Sequence, residues 1–224
     1  MSCINKKHIL QIKDLSVSFT QYEQGLRQIE LKVIHKLNVS VHEGELVAVV
    51  GASGSGKSLL AHAILGILPH NCNAEGNIWF EDKLLSRDCI EELRGKQIVL
   101  VPQSVNYLDP LEKVGKQVRR ERNEETIYKK QAELFDFYKL PQNTGELYPF
   151  ELSGGMARRV LLTTAMMESP RLIIADEPTP GLHLEAAKKA MGHFREFADQ
   201  GNGVLLITHD IELALEVADR IAVF

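Results

Sequence analysis

The sequence predicts an α/β fold built around a largely parallel sheet. Apolar runs of strand length alternate with stretches of helical periodicity along most of the chain. One of those runs, residues 46–50, leads into a glycine-rich segment and then into a helical pattern. In a sheet of this type, ligands bind outside the carboxyl ends of the strands. We therefore expect functional residues where strands end.

Composition limits the classes of protein that the chain can represent. With 224 residues, 44% hydrophobic and 25% charged, it has the size and balance of a globular domain. Its net charge of −4 provides no basic field to attract nucleic acid. No apolar run approaches the roughly 20 residues of a membrane span, and residues 1–7 lack a signal-peptide pattern. We expect the protein to be cytoplasmic unless a partner holds it at a membrane. Its three cysteines, Cys3, Cys72 and Cys89, are expected to be reduced.

The N-terminal part predicts a small antiparallel β subdomain. Residues 9–19 and 31–41 alternate between apolar and polar side chains, as half-buried strands do. Gly25 lies in the polar stretch between them, and the turn at residues 42–45 leads into the apolar run 46–50. These strands are expected to pack against the parallel sheet.

A phosphate-binding loop follows the apolar run 46–50. Its sequence has the pattern G-x-x-x-x-G-K-S, with a strand before it and a helix after it. Glycines let backbone N–H groups converge on phosphate oxygens, and the helix directs its positive end at them. The pattern predicts that Lys57 contacts the β- and γ-phosphates and that the Ser58 hydroxyl contacts Mg²⁺. The predicted binding residues are Gly51, Ser53, Gly54, Ser55, Gly56, Lys57, Ser58 and Leu59.

An aromatic ring near this loop is a candidate to stack on the base of a bound nucleotide. Phe19 ends the first predicted strand, and Tyr22 is the second choice. Packing of Phe19 in the core explains the same residue equally well.

The middle of the chain predicts an inserted helical segment. Strands at 76–80 and 97–101 flank a short helix at 90–94, and the second strand ends at Pro102-Gln103. Residues 104–150 are richer in charge and have helical periodicity. We interpret the basic run 119–122 as a solvated helix face rather than a nucleic-acid patch, because acidic residues are interleaved with it.

Three further motifs follow in the C-terminal part. Ser153-Gly154-Gly155 precedes a helical pattern, where a serine cap and free amides can form an anion site. An apolar strand ends at Asp176-Glu177; the aspartate suits Mg²⁺ and the glutamate suits activation of water. A last apolar strand, 203–208, ends at His209, which can donate a hydrogen bond to a γ-phosphate.

Together these motifs resemble the ATP-binding subunits of ATP-binding-cassette (ABC) transporters. The resemblance rests on the phosphate loop, Val101-Pro102-Gln103, the signature Leu152–Met156, the acidic strand 172–177 and His209. Their order covers nearly the whole chain. Residues 148–159 and 103–118 are most similar to the importer branch for peptides and nickel.

The resemblance implies a P-loop NTPase core at 1–103 and 153–224, with a helical subdomain at 104–152. It implies that two ATPase subunits close on ATP and Mg²⁺, each nucleotide lying between one phosphate loop and the other subunit's residues 153–155. Gln103 is implied to sense the γ-phosphate and Mg²⁺, Asp176 to hold Mg²⁺, Glu177 to activate water and His209 to stabilise the γ-phosphate. The implied partners are two membrane permeases, a second ATPase and, indirectly, an extracytoplasmic binding protein, all at the cytoplasmic face of the membrane.

Two positions depart from the family pattern. His183 stands where an aspartate normally bridges the two ATPase subunits, which favours pairing with a different ATPase subunit. The chain stops at Phe224, where relatives usually continue, so we expect a trimmed or missing C-terminal extension. Alternative classes are an exporter subunit, a soluble ABC protein of DNA or translation, and a non-hydrolysing regulatory cassette. No fused span, coiled coil or zinc module supports the first two, and intact Lys57, Glu177 and His209 argue against the third.

Overall fold

The computed structural model describes residues 7–22, 28–52 and 54–224, except for the side chain of Tyr22. Its strands are β1 (His8–Tyr22), β2 (Gln28–His42), β3 (Glu45–Val50), β4 (Cys72–Phe80), β5 (Lys83–Leu84), β6 (Ile98–Val101), β7 (Leu172–Asp176), β8 (Gly203–Thr208) and β9 (Arg220–Val223). Its helices are α1 (Lys57–Ile64), α2 (Arg87–Leu93), α3 (Val114–Arg119), α4 (Glu125–Phe137), α5 (Gly154–Met166), α6 (Leu184–Asp199) and α7 (Ile211–Val217). Short 3-10 turns occupy Val105–Tyr107, Gln142–Glu146 and Pro149–Glu151.

The central sheet is parallel and has the strand order β6-β7-β8-β3-β9. All residues of β3, β7 and β8 are buried, which is why their sequences are continuous apolar runs rather than alternating ones. Because the strands are parallel, the segments that follow β3, β6, β7 and β8 meet at one edge of the sheet. The prediction of an α/β fold with a largely parallel sheet is confirmed.

A second, antiparallel sheet has the order β2-β1-β4-β5 and forms the predicted β subdomain. Side chains of β3 point alternately to two apolar clusters. Val47 and Val49 pack with β1, β2 and α1, whereas Leu46, Ala48 and Val50 pack with α5 and α6. The central sheet therefore has an apolar layer on each face.

Residues 104–152 contain α3, α4 and the three 3-10 turns, as the helical periodicity predicts. Their apolar side chains Val114, Val118 and Phe135 are buried in the same cluster as α5. Across the described ranges, no helix combines the length and the apolar character that a membrane span requires. Cys72 and Cys89 are free thiols, and Cys3 lies outside the described residues.

The interpretation of residues 119–122 as a solvated helix face is correct only in part, because Arg120 and Glu121 are exposed but lie beyond the end of the helix. Helix α3 ends at Arg119, whose guanidinium lies 4.0 Å from the ring centroid of Tyr128 and donates to Gln131 Oε1 at 2.6 Å. Arg122 lies beyond the helix and pairs with the largely buried Glu168 at 2.6 Å. Burial of that carboxylate requires positive partners, and Arg122, together with Arg120 at 3.5 Å, connects the helical segment to Glu168 just after α5.

Replacement of a core aromatic residue should unfold the domain more readily. Phe194 of α6 is 0% exposed beneath the parallel sheet. We expect Phe194→Ala to lower the free energy of unfolding by about 3–5 kcal/mol, because it removes apolar contacts and leaves a cavity. Urea denaturation measures this loss. The matched control is Leu215→Ala on α7, where the side chain is 65% exposed and a change below about 0.5 kcal/mol is expected. Equal losses in both variants would contradict the described core.

Candidate active site

The phosphate loop lies between β3 and α1, with backbone dihedrals that its glycines permit. Gly54 and Gly56 have φ values of +79° and +97°, in the left-handed region that residues with a Cβ rarely adopt. Lys57 begins α1 and is buried, with an exposed fraction of 5%. Its amino group donates to the carbonyls of Gly51 and Ala52 at 2.8 and 2.6 Å. The ammonium is thus held at the loop, where it can move to a phosphate oxygen. The predicted binding residue Ser53 lies outside the described residues.

Asp176 ends β7 beneath the phosphate loop and is 4% exposed. Burial raises the pKa of its carboxyl above the ordinary value, and a hydrogen bond with the Ser58 side chain opposes that shift. Its Oδ1 atom is buried and has no hydrogen-bond partner among the described residues. A buried carboxylate oxygen without a partner favours the arrival of a cation.

Glu177 follows Asp176 in a left-handed conformation, with φ of +46°. Its backbone N–H donates to the carbonyl of Ile207 in β8 at 2.8 Å, which fixes the end of β7 against the neighbouring strand. The side chain is 6% exposed, and Oε2 lies 2.8 Å from Nδ1 of His209. The histidine side chain is 57% exposed. The pair therefore joins a buried carboxylate to a histidine that reaches solvent.

A cavity of about 230 Å³ brings half of the sixteen predicted site residues together. Its lining consists of Gly54, Gly56, Lys57, Ser58, Leu59, Gln103, Asp176 and Glu177. These residues come from the phosphate loop, α1, the end of β7 and the segment after β6. The arrangement places a lysine, a hydroxyl, an amide and two carboxylates around one space, which suits a polyphosphate with a metal ion.

The sequence prediction missed a buried arginine behind this cavity. Arg158 of α5 is 5% exposed and donates to the carbonyl of Pro102 at 2.6 Å and to the carbonyl of Gln103. Burial lowers the pKa of its guanidinium, while the charges of Asp176 and Glu177 act in the opposite direction. In the sequence it is one of two adjacent arginines, Arg158 and Arg159, and nothing local shows which of them is buried.

A second missed feature is the close approach of β2 to the phosphate loop. A Cβ atom at Gly56 would lie 2.3 Å from Cγ1 of Val33, and one at Gly51 would lie 3.0 Å from the carbonyl oxygen of Phe224. Val33, Ser55 and Phe224 help to line a separate cavity beside the loop. The glycines at 51 and 56 thus also make room for neighbouring chain segments.

The structure does not bring every predicted residue into the cavity. Ser153 caps α5 by accepting a hydrogen bond from the N–H of Met156 at 3.2 Å, as predicted, and Gly154 and Gly155 form the first turn. None of these three lines the cavity. Phe19 is half-buried in β1, opposite Leu31 and Cys72, so its role in binding a base stays a prediction.

The donor set fits Mg²⁺ bound together with a nucleotide. Mg²⁺ is commonly held by one or two protein oxygens plus phosphates and water. The Ser58 hydroxyl and Asp176 Oδ1 are such oxygens, and Oδ1 has no partner among the described residues. In the described part of the chain, no cluster of three or more His, Cys, Asp or Glu side chains could hold a metal unaided.

The fold and the cavity define a phosphate-loop nucleotide-binding domain. A model of the ABC transporter family matches residues 34–180, and the chain belongs to that family. It is similar to the oligopeptide transport ATP-binding protein OppD of Bacillus subtilis (33% identity, 98% of this chain and 64% of the relative). The corresponding protein of Lactococcus lactis subsp. cremoris is also 33% identical, over 98% of this chain and 68% of its own length.

Solved structures of ABC cassettes have the same fold. The dimeric structure of MJ0796, a bacterial ABC transporter cassette, has a TM-score of 0.82 at 26% identity, covering 96% of this chain and 94% of its own. A dimeric post-hydrolysis state of MJ0796 bound to ADP and Pi has a TM-score of 0.80 at 28% identity with the same coverage. These matches support ATP hydrolysis as the activity of the domain. The chain spans only about two thirds of the oligopeptide-transport relatives named above.

Removal of the Lys57 ammonium should weaken nucleotide binding. We expect Lys57→Ala to raise the Kd for ATP by about tenfold to a hundredfold, because charge-assisted hydrogen bonds to the phosphates are lost. Isothermal titration calorimetry measures the change. Lys129→Ala, at an exposed position on α4, is the matched control and should retain the wild-type Kd. Unchanged affinity in Lys57→Ala would overturn the assignment of the phosphate loop.

Proposed function

We propose that the chain is the ATP-hydrolysing, energy-coupling subunit of an importer for oligopeptides. The observation that carries the enzymatic part is Glu177, a buried carboxylate 2.8 Å from His209 at the edge of the cavity that Lys57 and Ser58 line. The identity to oligopeptide-transport ATPases over 98% of the chain supports the transport part.

In this mechanism the phosphate loop binds the triphosphate of ATP, and Lys57 transfers its hydrogen bonds from the Gly51 and Ala52 carbonyls to phosphate oxygens. Glu177 accepts a proton from the attacking water as general base. His209 orients the Glu177 carboxylate through Nδ1 and presents its other ring nitrogen toward the γ-phosphate. Gln103 contacts the γ-phosphate from the opposite wall of the cavity.

Mg²⁺, when bound, neutralises charge on the phosphates and makes them more susceptible to attack. We propose Ser58 and Asp176 as its protein ligands and Gln103 as an adjoining contact. The raised pKa of Asp176 is consistent with this assignment, because a metal ion restores the charged carboxylate that burial disfavours.

The proposed assembly contains a second ATPase subunit and two membrane permeases at the cytoplasmic face of the membrane. Residues 153–155 stand outside this chain's own cavity and are available to a nucleotide on the second ATPase. His183 occupies the position before α6, makes no capping hydrogen bond with its side chain and is exposed, so it can contact that partner. A histidine there in place of an aspartate favours an unlike partner. The extracytoplasmic binding protein contacts the permeases and reaches this chain only through them, and nucleic acid has no role.

The division into a core (1–103 and 153–224) and a helical subdomain (104–152) belongs to the same proposal. Residues 104–152 would transmit closure of the ATPase pair to a permease. Oligopeptides are proposed as the substrate because the relatives described above are oligopeptide-transport proteins. Nickel stays a prediction from the sequence resemblance alone.

Loss of the proposed general base should separate binding from hydrolysis. Glu177→Gln keeps the size of the side chain but cannot accept the proton of water. We expect kcat to fall by about 10²- to 10⁴-fold while the Kd for ATP stays within about threefold. Phosphate release and calorimetry measure the two quantities. Glu92→Gln, at an exposed position of α2 outside the cavity, should hydrolyse ATP at the wild-type rate. Rapid phosphate release by Glu177→Gln would exclude Glu177 as the base.

The importer assignment is tested by the proteins that accompany the native chain. We expect gentle purification of the tagged full-length protein from its own membranes to yield two permeases and a second ATPase by mass spectrometry. ATP hydrolysis by that complex in liposomes should rise when a loaded peptide-binding protein is added. Recovery without permeases, together with ribosomal or DNA-processing proteins, would overturn the transport assignment and leave the ATPase assignment intact.

A further inference from the structure

Arg158 joins two parts of the site that are far apart in the sequence. It belongs to α5, the helix that Ser153 caps and that begins with Gly154 and Gly155. From there its guanidinium reaches the carbonyls of Pro102 and Gln103, 56 and 55 residues earlier in the chain. The two bonds use both terminal nitrogens, so the planar fork fixes the segment at two points.

The position is costly for a charged side chain, which indicates that the contact is specific. Arg158 is 5% exposed, and its Nε atom has no hydrogen-bond partner among the described residues. A buried guanidinium needs hydrogen bonds and nearby negative charge to offset its lost hydration. The two carbonyls provide the bonds, and the carboxylates of Asp176 and Glu177 provide the charge.

Of the two residues held in this way, Gln103 lines the cavity and Pro102 does not. Gln103 is exposed two residues after the end of β6, and it lines the same cavity as Asp176 and Glu177. Arg158 holds the backbone carbonyl of the same residue. Because α5 is a continuous helix, a displacement at Gly154 or Gly155 also displaces Arg158 one turn away, and with it the backbone of Gln103.

We propose that Arg158 is the positioning residue for Gln103 and connects it to the first turn of α5. The guanidinium fork sets where the Gln103 amide stands relative to a γ-phosphate. Contact of a second ATPase with residues 153–155 therefore changes the position of Gln103 through one helix and two hydrogen bonds. This inference rests on the proposed ATPase function, and it assigns to Arg158 no contact of its own with ATP.

A double-mutant cycle tests the connection. Calorimetry on the full chain with Mg²⁺ measures the Kd of ADP and the Kd of a non-hydrolysable ATP analogue that carries a γ-phosphate group. The nucleotide ratio, defined as the Kd of ADP divided by the Kd of the analogue, reports how well the site recognises the γ-phosphate. We expect Gln103→Ala to lower this ratio about tenfold and Arg158→Gln to lower it by a similar factor. In the double variant the ratio should fall no further, because Arg158 acts through Gln103.

Lys130→Gln is the control for general loss of stability. Lys130 is also a partly buried cation that joins the helical segment to backbone, since it donates to the carbonyl of Met167 at 3.0 Å and to Ser169 Oγ at 2.9 Å. Lys130 lies on α4, contacts the chain just after the end of α5, and does not line the cavity. We expect Lys130→Gln to lower the unfolding temperature as Arg158→Gln does while leaving the nucleotide ratio within about twofold of wild type.

Arg158→Lys keeps the positive charge but removes the two-pronged guanidinium, so it distinguishes the effect of geometry from the effect of charge. It replaces Arg158→Gln in the cycle if Arg158→Gln does not fold. A single ammonium cannot hold both carbonyls with the same geometry, so the ratio should stay at least about threefold below wild type. Additive effects of the two sites, a wild-type ratio in Arg158→Lys, or an equal loss in Lys130→Gln would each overturn the inference. A wild-type chain that neither binds nor hydrolyses ATP would instead overturn the proposed function together with this inference.

Discussion

The parallel arrangement of the central sheet is the constraint on which the site depends. Four of its strands deliver their following residues to the same edge: β3 delivers the phosphate loop, β6 Gln103, β7 the two carboxylates and β8 His209. The backbone bond from Glu177 to Ile207 fixes two of these strand ends relative to each other. An antiparallel order would send half of these residues to the opposite edge of the sheet.

Burial gives these residues their chemical character. Asp176 and Glu177 stand at the end of a fully buried strand, so their charges are poorly hydrated and interact strongly with nearby cations. Lys57 and the side chain of Ser58, both on α1, and Arg158 on α5 lie around that negative charge. The site therefore has positive and negative groups in proximity before any nucleotide arrives, which reduces the reorganisation that a reaction requires.

The sequence predicted the parts of the site that are written in contiguous residues. The phosphate loop, the acidic strand end and His209 each carry a local pattern, and the structure places Lys57, Ser58, Gln103, Asp176 and Glu177 around one cavity. Arg158 and Val33 were missed because their contacts are long-range: the first meets a segment 56 residues away, and the second approaches Gly56 from another sheet. The pairing of Arg122 was missed for the same reason, since its partner Glu168 is more than 40 positions distant. The acidic residues interleaved with the basic run 119–122 in the sequence give no information about partners that are distant in the chain.

The left-handed backbone of Glu177 has a consequence for the evolution of the chain. A residue with a Cβ at a φ of +46° raises the energy of the native state by about 1–3 kcal/mol, whereas glycine adopts the same dihedral without that penalty. Selection for thermal stability alone would therefore favour replacement of Glu177 by glycine, which removes the carboxylate that accepts the proton. Variants selected for heat tolerance without an activity screen should therefore accumulate glycine at position 177 and lose ATP hydrolysis. Stability and catalytic activity place opposite demands on this one residue.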